Sequence, residues 1–133
     1  MTTAWLDANV LLRVLTDQPV DLARRAKALM ARAQRGDVLL VLPVVVLAEV
    51  VWALGRYYGH ERGRIATGLR DLLTTPGIAV EGADDVFDAL TLMADYGVDF
   101  PDAYLAAAAN RRGDSVATFD ADFRKLGARV EAL

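Results

Sequence analysis

The stretch from Asp37 to Leu42 constrains the fold of this chain most strongly. After one polar residue it is continuously apolar, which is typical of a strand buried on both faces of a parallel sheet. Pro43 follows directly, and because proline fits the first turn of a helix, we predict a helix from there to about Tyr58. Its many valines would also allow a strand, but the length of the segment and the proline favour a helix.

The same alternation of strand and helix extends over the whole chain. Strands are predicted at about 3–7, 37–42, 78–80, 115–118 and 129–130, and helices at about 9–15, 19–33, 43–58, 61–73, 84–96 and 101–112. Because helical crossovers cover the faces of a parallel sheet, we expect an α/β fold, a three-layer α/β/α sandwich with a central, mostly parallel sheet. No repeat or linker divides the 133 residues, so we expect a single domain over 1–133.

Composition narrows the classes of protein to which this chain can belong. Apolar residues make up 54% of it, which excludes disorder, and the absence of cysteine excludes disulfides and cysteine-based sites. The longest apolar run, 38–54, contains a proline and a central glutamate, which oppose membrane insertion. The N-terminus lacks the basic region of a signal peptide, so we expect a cytoplasmic protein without a membrane partner. The net charge of −3 does not indicate nucleic-acid binding.

Four carboxylates stand where a purely structural role explains them poorly. They are Asp7, Glu49, Asp102 and Asp120. The first and the last follow apolar strands, and in open α/β sheets ligands bind beyond the carboxyl ends of the strands. Glu49 has apolar residues three and four positions away on both sides and no cation within helical reach. Because an unpaired charge in apolar surroundings is costly, these acids are candidates for a functional site.

If these four acids converge, they require a counter-ion, because neighbouring carboxylates repel one another and raise one another's pKa. Mg²⁺ and Mn²⁺ are hard ions that prefer oxygen ligands, so one of them is the expected cofactor. Such an ion activates a water molecule, and a pair of ions can clamp the attacking and leaving oxygens of a phosphoryl displacement. The acids therefore favour metal-dependent phosphodiester hydrolysis.

Four segments of the chain, in this order and spacing, carry a family resemblance. They are LDANVLLR at 6–13, LPVVVLAEVVWAL at 42–54, VDFPDAYLAA at 98–107 and TFDADF at 118–123. Each segment alone is a weak signal, but together they cover essentially the whole chain. In this combination the sequence resembles the PIN-domain ribonucleases, and more narrowly the VapC-type toxins of VapBC toxin–antitoxin modules.

The resemblance implies a catalytic and metal-binding role for Asp7, Glu49, Asp102 and Asp120. It also implies that Asn9 and Thr118 support these acids, and that Asp99 is a further candidate ligand. Members of this family are Mg²⁺- or Mn²⁺-dependent endoribonucleases, so hydrolysis of RNA by metal-activated water is the implied activity. They form homodimers and are silenced by a small VapB-type antitoxin whose C-terminal segment enters the active-site groove.

Cationic and aromatic residues add weaker predictions. The candidates for contact with RNA or antitoxin are Arg13, Arg56, Arg111 and Arg112. The single histidine, His60, lies in a glycine-flanked turn and is expected at the surface, so no Ser-His-Asp triad can form. Trp52, Tyr57 and Tyr58 are expected in the core or a dimer interface and are less typical of base stacking.

Several alternatives stay open. Asp7 could simply cap the following helix, and Asn9 fits a structural role better than a direct role in the site. Asp102 would also be favoured by the helix dipole without any metal. At the level of function, the same acids could serve a flap-type DNA nuclease, although the short chain has no DNA-binding extension. The chain could also be a catalytically silent PIN-like interaction module, against which the intact acids argue.

Overall fold

The computed structural model describes all residues, 1–133. The strands are β1 (Thr2–Trp5), β2 (Val38–Leu42), β3 (Ile78–Val80), β4 (Ser115–Ala117) and β5 (Arg129–Glu131). The helices are α1 (Ala8–Thr16), α2 (Val20–Gln34), α3 (Val44–Arg56), α4 (Arg62–Leu73), α5 (Ala83–Tyr96), α6 (Phe100–Arg112) and a 3₁₀ helix (Ala121–Leu126). Every predicted strand and helix is present, with ends within two residues of the prediction. The 3₁₀ helix was not predicted.

All strand pairs are parallel, which confirms the predicted α/β class, but the strands form two sheets. The larger sheet has the order β1–β2–β3, with Thr3 opposite Leu39 and Leu40 opposite Ile78. In the smaller sheet β4 pairs only with β5, each strand being three residues long. The strands that precede Asp7 and Asp120 therefore belong to different sheets.

The main core lies around β2, the central strand of the larger sheet. Val38, Leu40 and Leu42 are buried and the two residues between them are half-buried, so neither face of β2 is open to solvent. This is the burial that its continuous apolar sequence predicts. A second, smaller core lies beside β4 and consists of Ala106, Val116, Phe123, Leu126 and Ala128. No helix combines the length and the apolar character that a membrane crossing needs.

Asp85, in the first turn of α5, is the one buried charged side chain, with 6% of its surface exposed. Arg112, at the end of α6, donates two hydrogen bonds to its carboxylate, at 3.0 and 2.8 Å. The Nε atom of Arg111 lies 3.5 Å from the same carboxylate. The hydrogen bond from Arg112 lowers the pKa of Asp85, although desolvation of the carboxylate opposes this shift. The same hydrogen bond raises the pKa of Arg112. The pair thereby fastens the start of α5 to the end of α6.

We expect Asp85→Asn to lower the free energy of unfolding at about pH 7 by about 1–2 kcal/mol, because it removes a charge-assisted pair that is half open to solvent. The pKa of Asp85 in the folded protein lies below its ordinary value of 3.8. Its stabilising contribution is therefore complete above that pH and declines as the pH falls towards the folded-state pKa. Urea denaturation at several pH values measures the difference between the two proteins.

The matched control is Asp84→Asn, which removes the neighbouring carboxylate of the same helix turn. Asp84 is exposed and lies 3.9 Å from Arg111, so its loss should change stability by less than that of Asp85. If the difference between wild type and Asp85→Asn stayed constant down to acid pH, the Arg112 pair would not be its cause.

Candidate active site

Asp7 lies between β1 and α1 and caps the helix. Its carboxylate accepts a hydrogen bond from the backbone amide of Ala8 at 2.9 Å, and its backbone is extended. The capping role considered from the sequence is therefore present. The cap uses only one acceptor position of the carboxylate, which offers about four, and the others are open to a ligand because Asp7 is exposed.

Asp120 caps the 3₁₀ helix in a similar way. Its Oδ1 atom accepts a hydrogen bond from the backbone amide of Asp122 at 2.8 Å. Its own backbone amide donates to the hydroxyl of Thr118 at 3.0 Å. This second hydrogen bond gives Thr118, which is half-buried, a direct means of holding the loop that carries Asp120.

Glu49 and Asp102 lie on two helices that pack on each other, α3 and α6. Asp102 is half-buried in the first turn of α6, where the helix dipole favours its charge. Glu49 is exposed in the middle of α3. Its apolar neighbours Val45 and Trp52 do not bury it, because they are themselves 72% and 57% exposed.

Asp99, the further candidate ligand, forms an ion pair that the sequence analysis missed. Its carboxylate lies 2.6 Å from the Nη2 atom of Arg62, the first residue of α4. The same guanidinium donates to the carbonyl of Gly97 at 2.9 Å. Arg62 therefore fastens the loop between α5 and α6 and balances the charge of Asp99. Nothing in the local sequence pattern could have paired two residues so far apart along the chain.

No three of the chain's Asp, Glu and His side chains lie close enough together to hold one metal ion. Backbone amides engage Asp7 and Asp120, and Arg62 engages Asp99. The donor atoms, all carboxylate oxygens, suit a hard divalent cation. Their positions do not form a coordination shell, so the metal-binding quartet stays a prediction.

The predicted contact residues fall into two groups. Arg13 and Asn9 line an open groove of ≈ 510 Å³ between α1 and α2, and Arg13 donates to the hydroxyl of Tyr58 at 2.9 Å. Arg56 is exposed and lines a different cleft. By contrast, Arg111 and Arg112 form ion pairs with acids of α5. An RNA or antitoxin contact by these last two would compete with those pairs.

Comparison with known proteins shows the family to which the chain belongs. The PIN domain family model matches residues 4–129, so the chain belongs to the PIN-domain family. PIN domains are generally nucleases and typically use divalent metal ions. Among solved structures, the chain is similar to a crystal structure of VapBC2 from Rickettsia felis bound to a DNA fragment from their promoter. The identity is 15%, the TM-score 0.39 and the coverage 98% of each chain. No curated protein matches the chain.

Proposed function

We propose that this protein is a Mg²⁺-dependent endoribonuclease and the toxin component of a type II toxin–antitoxin system. The observation that carries the proposal is the PIN-domain match over 4–129 together with acids at the four motif positions. Three of these acids, Asp7, Asp102 and Asp120, lie at the N-terminal ends of helices. Helix N-termini are positions that suit acidic side chains.

Mg²⁺, or Mn²⁺ in its place, is proposed from the chemistry of the donor set. The candidate ligands are the carboxylates of Asp7, Glu49, Asp102 and Asp120, with Asp99 as an additional candidate. A bound ion of this kind supplies Lewis acidity towards water and phosphate oxygens. The chain's own contribution is to position the acids: the helix caps orient Asp7 and Asp120, and Thr118 holds the Asp120 loop. Asn9 is exposed two residues after Asp7 and is proposed to support it.

The partners that we propose follow from the VapC-type motifs. They are an RNA substrate, a small VapB-type antitoxin and a second copy of the chain, in the cytoplasm. Arg13 is a candidate contact for the antitoxin or RNA, because its half-buried side chain lines the groove between α1 and α2.

The proposal is tested by incubating the purified protein with single-stranded RNA in the presence of Mg²⁺, of EDTA, and of EDTA followed by excess Mg²⁺ or Mn²⁺. We expect internal cleavage with Mg²⁺, its loss in EDTA, and its recovery when either metal is restored. A branched DNA flap in parallel distinguishes the DNA nuclease, which would cleave that substrate in preference to RNA. Cleavage of RNA that persists in EDTA would show that the metal is not required.

One observation favours the second candidate, a catalytically silent interaction module: the acids do not converge on a metal position. Calorimetric titration with Mn²⁺ separates the two. The nuclease is expected to bind Mn²⁺ and to lose that binding when Asp102 is changed to Asn, whereas a silent module binds no metal and leaves every substrate intact.

A further inference from the structure

A cleft of ≈ 420 Å³ lies between α3 and the start of α6, and Asp99, the further candidate ligand, is among the residues that line it. The residues that line its rim are Trp52, Arg56, His60, Arg62, Asp99 and Pro101. Glu49 precedes Trp52 by three residues on α3, and Asp102 directly follows Pro101 on α6. The cleft therefore lies along the two helices that carry these acids, although neither acid lines it.

Trp52 contributes to this cleft an exposed aromatic ring whose orientation is restrained by a neighbouring ring. Its side chain is 57% exposed, although tryptophan is highly buried on average. Tyr57 contacts it edge to face, with ring centroids 5.2 Å apart and an interplanar angle of 90°. Such a contact restrains the plane of the indole ring. A flat ring that is restrained and half open to solvent is suited to stacking on another planar group.

The charges around Trp52 select an anionic partner. Arg56, one turn further along α3, is exposed and takes part in none of the protein's ion pairs. His60 also lines the cleft and offers an imidazole N–H as a donor. The charge of Arg62, by contrast, is balanced by Asp99. An apolar partner would desolvate the Arg56 guanidinium without supplying an acceptor, which is costly. A partner that presents both a planar apolar face and a phosphate satisfies Trp52 and Arg56 together.

We propose that this cleft binds one nucleotide of a single-stranded RNA, with the base stacked on Trp52 and a backbone phosphate on Arg56. Aromatic stacking of unpaired bases combined with a cationic contact to the backbone is the general mode by which proteins hold single strands. The proposal deepens the proposed function and rests on it for the choice of RNA. It assigns binding roles, not catalytic ones, to the two residues.

The test measures binding in EDTA, so that cleavage plays no part. In a Trp5→Phe background, Trp52 is the only tryptophan, and its fluorescence should be quenched on titration with an RNA of about 12 nucleotides. Fluorescence anisotropy with labelled RNA should give a Kd about 5- to 150-fold weaker for Trp52→Ala, with most of the affinity retained in Trp52→Phe.

Arg56→Ala provides a second, independent measurement. Removal of one phosphate contact should reduce the slope of log Kd against log salt concentration by about 0.7. The matched control is Arg64→Ala, which removes an exposed arginine of α4 that does not line the cleft and should leave that slope unchanged. Circular dichroism confirms that each variant is folded, and the salt slope of Arg56→Ala decides the question if Trp52→Ala is not folded.

An unchanged Kd in Trp52→Ala together with an unchanged salt slope in Arg56→Ala overturns the inference. It is also overturned if Trp52→Ala converts a dimer into monomers on size-exclusion chromatography while the RNA affinity stays the same. The surface around Trp52 would then be an interface with a second copy of the chain. Failure of this inference can be distinguished from failure of the proposed function. A protein that binds RNA through Trp52 and Arg56 but never cleaves it with Mg²⁺ contradicts only the proposed nuclease.

Discussion

Asp7→Asn and Asp102→Asn should each slow RNA cleavage by at least about 100-fold, because residues that merely orient metal ligands already contribute about 10- to 100-fold. Asparagine keeps the size of the side chain and one acceptor oxygen but removes the charge that a divalent cation requires. At Asp7 it can also preserve the hydrogen bond to the amide of Ala8, since asparagine caps helices as well as aspartate does. The expected loss is therefore one of chemistry in a folded protein.

Single-turnover cleavage rates at a fixed Mg²⁺ concentration provide the measurement, and melting temperatures report on folding. Asp122→Asn is the matched control, because Asp122 is an exposed acid in the last motif whose nearest cation is Lys125 at 3.5 Å. We expect the cleavage rate of Asp122→Asn to stay within about twofold of wild type, because an exposed ion pair contributes little energy. Full activity in Asp102→Asn would remove that residue from the proposed site.

Gly77→Ala should lower the free energy of unfolding by about 2–5 kcal/mol, the largest effect on stability that we expect from a single methyl group. A Cβ atom at Gly77 would lie 2.4 Å from the backbone oxygen of Ala33, at the C-terminal end of α2. Neither side can easily move, because the carbonyl of Gly77 also accepts a hydrogen bond from Leu40 in the central strand at 2.8 Å. The positive φ of +91° adds conformational strain.

Gly36→Ala separates these two contributions. Gly36 has a similar φ of +84°, but a Cβ atom there would have no neighbour within 4 Å. Its replacement should therefore cost only the conformational strain, about 1–2 kcal/mol. Urea denaturation of the two variants gives the difference directly. Equal losses would mean that the close approach of α2 to β3 is not what makes Gly77 necessary.

The order of strands and helices could be predicted because each is marked locally. The apolar run before Pro43 specifies β2 and the start of α3, and the ends of both lie within two residues of the prediction. Strand neighbours are not marked locally, since an apolar strand pattern does not say which strand lies beside it. The separation of β4 and β5 from the larger sheet therefore became visible only in the structure. The 3₁₀ helix was missed because six residues are too few to show a helical period.

The candidate site was predictable in its residue types and only partly in its surroundings. The sequence places Asp102 in the first turn of a helix and Asp7 between a strand and a helix, where the structure has them. Asp120 was expected only as the acid after a strand, and the 3₁₀ helix that it caps was not predicted. The exposure of Trp52 was not predictable, because α3 is apolar on nearly all sides and its sequence does not reveal which face is covered. The ion pair of Asp99 was hidden for a different reason, since tertiary contacts between distant positions leave no period in the sequence.

The small second core has a consequence for the last of the four acids. Asp120 lies in the chain between Val116 and Phe123, two of the five buried residues of this core, which also includes Ala106 of α6. So small a cluster buries little apolar surface, and such regions open with a smaller free energy than the domain as a whole. We therefore expect the loop that carries Asp120 to open locally at a lower free energy than the domain, and substitutions at Phe123 or Leu126 to shift that opening more than they shift global stability.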